Sequence, residues 1–154
     1  MAHRSSPGRY HDVCATATLT TTEDNGVKHM KFARYVFWSA AIYGVLVTLP
    51  LYFNEQKMGV DYPPVINHAE YFYSFAGITL VWQILFVFIA TNPPRYRLII
   101  LPCVLEKLSL LPTFLILFPQ GRFPPLWIPL MIVDLAFAIL FVAAFIKSKQ
   151  VSLQ

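Results

Sequence analysis

Apolar residues fall into four long runs that are separated by shorter polar connections, and this pattern predicts four membrane-spanning helices. The predicted spans cover residues 35–53, 71–91, 98–118 and 127–146. A helix needs about 20 mostly apolar residues to cross a bilayer, and each run has about that length. Because short connections follow the second and third spans, helices 2, 3 and 4 are predicted to be antiparallel neighbours. The predicted fold class is therefore all-α, a four-transmembrane-helix antiparallel bundle.

Residues 1–30 differ from the rest of the chain, since they are polar, rich in Thr and Ser, and without a sustained helical or strand period. We predict that they form a disordered N-terminal tail, followed by a membrane domain over residues 31–149. Met30 precedes Lys31 and Arg34, a typical beginning for a membrane protein, so the native start is hypothesised to lie at Met30.

Composition supports the membrane assignment, because 56% of residues are hydrophobic, 13% are charged and the mean hydropathy is +0.54. Soluble domains carry about 25% charged residues. Basic residues flank the spans on one side far more than on the other, which predicts an N-in, C-in orientation. The inner residues are Lys28, Lys31, Arg34, Arg95, Arg97, Lys147 and Lys149, against Lys57 and Arg122 outside. Positive charge placed in this way predicts contact with membrane lipid and argues against nucleic-acid binding.

Polar residues inside the last three spans are the main candidate for function, because charges at a helix centre in lipid are costly and are usually functional. The candidate buried polar site consists of Gln83, Glu106, Lys107, Ser109 and Asp134. Glu106 and Lys107 lie about 100° apart around a helix, so Glu106 is expected to face Gln83 and Lys107 to face Asp134. Pro112 cannot donate to the carbonyl of Leu108, so a bend is expected there.

Two interpretations of this polar site stay open. In the first, it binds a lipid-like small molecule that enters from the bilayer, such as a quinone, sterol-like or isoprenoid compound, or it relays protons. In the second, the protein is an accessory or assembly subunit whose buried charges only fix helix packing. A homodimer or a larger membrane complex fits either interpretation. The chain has no nucleophile or phosphate-binding motif of the soluble enzymes, which favours a non-enzymatic protein.

A second candidate site lies at the outer mouth and comprises Asp61, His68 and Glu70. The alternative is that His68 or its neighbour begins a helix and that Glu70 complements the helix dipole. Too few ligands are present for a metal site to be expected. No span contains a histidine, which argues against haem, and no cofactor is predicted. The three tryptophans are interpreted as packing or interfacial residues.

Three segments carry a family resemblance: residues 63–73 (PPVINHAEYFY), residues 92–97 (NPPRYR) and residues 104–107 (VLEK). Over about residues 31–147 the chain resembles small bacterial four-span membrane proteins, a family without a known activity. That resemblance implies a bacterial inner-membrane location. The chain is also more distantly similar to DoxX-like proteins and to the sterol-isomerase and sigma-2-receptor group, which carry acidic residues in a four-helix bundle. Neither likeness assigns a role to a residue of this chain.

Overall fold

The structure, a computed structural model, describes residues 8–61 and 65–149, with side chains over 26–61 and 65–148. All regular structure in these ranges is helical, so the predicted all-α fold is confirmed. The helices are α1 (Gly8–Thr48), α2 (Glu55–Asp61), α3 (Ala69–Thr91), α4 (Ile100–Leu108), α5 (Leu110–Leu117) and α6 (Trp127–Lys149), with 3-10 turns at Leu49–Phe53 and Arg97–Ile99.

Four segments are long and apolar enough to cross a membrane: Gly26–Phe53, Ala69–Thr91, Arg97–Leu117 and Trp127–Ser148. They match the four predicted spans, although the first begins earlier than residue 35. Helix α1 starts at Gly8, so it covers much of the segment for which the sequence predicts no regular structure. The sequence has no proline from Gly8 to Thr48, so every residue after the first turn has a backbone N–H to donate. Residues 1–7 of the predicted tail lie outside the described residues, and the boundary between tail and membrane domain stays a prediction.

The first span is the centre of the bundle, because α1 packs along both α3 and α6, and α6 in turn packs on α4. Spans 3 and 4 pack as neighbours, as predicted, whereas the backbones of α3 and α4 approach each other at few positions, so the predicted packing of span 2 along span 3 is wrong. The short connection between them fixes their opposite directions but not their contact. Small buried residues let α1 and α3 approach closely instead, namely Ala33, Ala40, Ala41, Ala76 and Ala90.

Aromatic side chains fill the half of the bundle nearer the chain ends, which is the inner half in the predicted orientation. Phe37 stacks on Phe141 with ring centroids 4.4 Å apart, and Phe86 meets Phe141 edge-on at 5.2 Å. All three side chains are fully buried. At the same end, Arg97 Nε donates to the Phe145 carbonyl at 3.1 Å, which ties the start of the third span to the end of α6.

The third span is broken at Ser109, where α4 ends and α5 begins one residue later. Pro112 cannot donate to the Leu108 carbonyl, as the sequence predicts. Both the Ser109 N–H and its hydroxyl donate to the Glu106 carbonyl, at 3.1 and 2.6 Å. After this break α5 makes little contact with the other spans, and none of its residues is buried. The outer half of the third span therefore diverges from the other spans.

Candidate functional site

An ion cluster joins the third and fourth spans where α4 ends. Lys107 Nζ lies 3.1 Å from Asp134 Oδ1 on α6 and 3.3 Å from Glu106 Oε2. The Lys107 side chain is 5% exposed, that of Glu106 14% and that of Asp134 25%, so all three have left most of their water. The Lys107 ammonium also faces the Phe86 ring, with 5.3 Å to its centroid. The Lys107 ammonium thus contacts two carboxylates and one aromatic ring.

The pairing of Lys107 with Asp134 is the one that helical spacing predicts, whereas the expected partner of Glu106 is wrong. Glu106 was predicted to face Gln83, but its Oε1 accepts from Lys107 Nζ at 3.4 Å. The long lysine side chain can bend back to the adjacent residue, which a comparison of helix angles alone does not consider. Glu106 Oε2 receives no hydrogen bond from the described residues, although it lies within ion-pair distance of the ammonium.

Gln83 is buried in the middle of α3 and is 1% exposed. Its Nε2 donates to the Thr79 carbonyl one turn earlier, at 2.8 Å. Its Oε1 has no hydrogen-bond partner among the described residues. The amide fits against α1 because Gly44 has no side chain: a Cβ there would overlap Gln83. Leaving a buried acceptor without a donor costs about 1–3 kcal/mol.

These polar groups border a cavity of about 580 Å³. The cavity lies in the half of the bundle that contains the C-terminal end of α1 and the N-terminal end of α6. All four spans contribute to its walls, so the first span belongs to the site that the sequence placed between helices 2, 3 and 4. The lining is largely apolar and aromatic, and includes Tyr43, Val47, Phe75, Ile78, Trp82, Leu110, Trp127 and Leu130. Gln83, Glu106, Lys107, Ser109 and Asp134, the predicted polar site, all line it.

The cavity borders the seam between α3 and the diverging helix α5. These two helices make little contact, and Phe75 and Ile78 on α3 are 47% and 62% exposed. At the outer end of the spans, the Phe75 and Trp127 rings meet edge-on at 5.9 Å. In a membrane, the seam between α3 and α5 would face lipid.

The outer-mouth residues form no comparable site. His68 Nδ1 lies 3.1 Å from Glu70 Oε1, but their side chains are 72% and 66% exposed. His68 is the N-cap of α3 and Glu70 lies in its first turn, so the helix-start interpretation is the one that the geometry fits. Asp61 ends α2 and makes no ion pair with His68. Among the described residues, no group of three or more His, Cys, Asp or Glu side chains could hold a metal ion.

The sequence indicates that Gly44 allows a close approach of helices, but it does not assign Gly44, Tyr43 or two tryptophans to the polar site. Trp82 and Trp127 line the cavity, although they were interpreted as packing or interfacial residues. The spacing of Thr79 and Gln83 indicates a polar helix face on the second span. The sequence shows that Gly44 is small, but it cannot show that Gly44 lies against the Gln83 side chain.

The arrangement can accommodate a small molecule with an apolar body and one polar end, since apolar walls lead to a buried polar floor. Within the described residues, Lys107 is the only cationic side chain that borders the space. No protein-family model, curated protein or solved structure shows a significant match to this chain.

Proposed function

We propose that this chain is a small, multi-pass protein of the bacterial inner membrane that binds a lipid-like molecule between its helices. The cavity of about 580 Å³, with apolar walls and a buried polar floor, is the single observation that carries this function. Binding sites for small molecules have volumes of about 300–1,000 Å³ and combine apolar walls with a few placed polar groups. The location in the bacterial inner membrane rests on the family resemblance alone.

The seam between α3 and α5 supports entry from the bilayer. A quinone, a sterol-like compound or an isoprenoid could pass sideways from lipid without exposing its apolar body to water. Its polar end would then meet Gln83, Glu106 and Asp134. Binding is favoured over catalysis, because the one basic side chain at the floor is already paired with two carboxylates.

The alternative is an accessory or assembly subunit, in which the ion cluster only fixes the packing of α4 against α6. The short Lys107–Asp134 contact supports it, because such a pair can specify helix register. In that case the cavity binds no small molecule, and a homodimer or larger complex covers the seam. A proton relay across the membrane has less support, because fully buried Phe37, Phe86 and Phe141 fill the inner half of the bundle.

Native mass spectrometry of the purified protein tests the proposal, with titration of isoprenoid alcohols, quinones and sterols. A saturable one-to-one complex is expected for at least one class. Leu130→Trp should abolish it by filling the cavity, whereas Ile132→Trp should not, since Ile132 is 59% exposed on the same helix and does not line the cavity. No complex, or one that Leu130→Trp leaves unchanged, would refute ligand binding at this site. Retained folding without any complex would favour the accessory subunit.

A further inference from the structure

The polar groups at the floor of the cavity restrict the chemical class of the ligand. Both buried side-chain atoms without a hydrogen-bond partner in the described chain are acceptors, Gln83 Oε1 and Glu106 Oε2, although Glu106 Oε2 lies 3.3 Å from the Lys107 ammonium. Both residues line the cavity. A ligand that satisfies them must bring hydrogen-bond donors.

The net charge of the ion cluster also favours a ligand with a cationic donor group. The cluster contains two carboxylates and one ammonium, so it has one negative charge in excess when all three groups are ionised. The Lys107 ammonium, with three N–H donors, already faces Asp134, Glu106 and the Phe86 ring. An anionic head group would meet two carboxylates and no free cation, whereas a cationic one would remove the excess charge in a site of low dielectric.

We infer that the preferred ligand is an amphiphile whose polar end is a protonated amine that donates its N–H groups to the partly exposed carboxylates of Glu106 and Asp134, with its apolar chain along α3 and α5. This inference rests on the proposed function and adds the head-group class to it. Alcohols can donate one hydrogen bond but leave the excess charge in place. Quaternary ammonium ions balance the charge but have no N–H to donate.

These differences define a test with four compounds that share one tail: 11-bromoundecylamine, its trimethylammonium analogue, 11-bromoundecanol and 11-bromoundecanoate. A bromoalkyl chain in the cavity would lie beside Trp82 and Trp127 and quench their fluorescence. Measured on the full chain in lipid nanodiscs, with Leu130→Phe as the cavity-filling reference, the amine should give the lowest Kd. The trimethylammonium compound and the alcohol should bind about tenfold or more weakly, since a hydrogen bond to a charged group is lost. The carboxylate should show no saturable quenching.

Glu106→Gln is the informative variant, because it leaves Lys107 paired one-to-one with Asp134 and strands no charge. It should weaken amine binding about tenfold or more and leave the alcohol nearly unchanged. Glu70→Gln makes the same substitution at an exposed carboxylate and serves as the control. Circular dichroism and the unfolding midpoint of each variant show whether it is folded.

Equal binding of amine and alcohol, together with an unaffected Glu106→Gln variant, would overturn the inference, as would saturable binding of the carboxylate. A proton shared between the carboxylates would make the amine and the alcohol bind equally, because it removes the excess negative charge. Neither equal binding nor carboxylate binding contradicts the proposed function, because a compound still occupies the cavity. Absence of saturable quenching by all four compounds overturns the inference. The proposed function itself fails only if the mass-spectrometry titration also gives no complex.

Discussion

Removal of the Lys107 ammonium tests the ion cluster most directly. Lys107→Met keeps a long unbranched side chain but leaves Glu106 and Asp134 facing one space without a cation. Breaking a buried ion pair by removing one partner costs about 3–5 kcal/mol. The lower part of that range applies, because Asp134 is one-quarter exposed and a carboxylate can take up a proton. We therefore expect the free energy of unfolding to fall by about 3 kcal/mol.

The assay is equilibrium unfolding by SDS titration in mixed micelles, followed by circular dichroism. Lys147→Met is the matched control, since Lys147 also faces an aromatic ring, that of Phe32 at 4.1 Å, but lies at the inner end of α6. Its substitution should cost about 0.5–1 kcal/mol. The neutral triple variant Glu106→Gln, Lys107→Met, Asp134→Asn should recover most of the loss, because no charge is then stranded.

Equal unfolding free energies for Lys107→Met and Lys147→Met would refute the reasoning. That result would mean that Lys107 does not balance buried carboxylates. A triple variant as unstable as Lys107→Met would also contradict it, because the loss would then come from packing and not from charge.

Three further predictions concern the helices around the cavity. Gly44→Ala should destabilise the protein by about 1–3 kcal/mol, because its Cβ would overlap the buried Gln83 amide. Gly77→Ala is the control and should cause no such loss, because its Cβ meets only the Tyr52 hydroxyl, at 3.2 Å. Equal unfolding midpoints for the two variants would contradict the close approach of α1 and α3. Pro112→Ala should restore a donor to the Leu108 carbonyl, so amide hydrogen exchange around residues 109–113 should slow. Pro102→Ala, at another exposed proline in α4, is the control. Unchanged exchange in Pro112→Ala would show that Pro112 does not cause the break. In a variant that lacks Cys14 and Cys103, a cysteine at Lys57 or Arg122 should react with an impermeant maleimide on intact spheroplasts, and one at Arg95 should react only after lysis; the reverse pattern would invert the predicted orientation.

The sequence alone determined the number and approximate position of the spans, because a bilayer imposes length and polarity on each segment independently. It also identified the charged residues of the cluster, since an ionisable group within an apolar run is conspicuous wherever it lies. Helical spacing was sufficient to predict the contact of Lys107 with Asp134, a pair that the fold holds at 3.1 Å. The break after Leu108 followed from the chemistry of Pro112.

Only the tertiary structure decided which helices touch. In lipid, packing depends on close van der Waals fit between particular surfaces, and not on hydrophobicity, which all four spans share. The fit of α1 against α3 and α6 moved the first span to the centre and left α3 apart from α4. That choice also brought Gln83 beside Gly44, turned Glu106 back to Lys107, and opened the cavity along α5. These contacts depend on distances between residues far apart in the chain, which the pattern along the sequence does not contain.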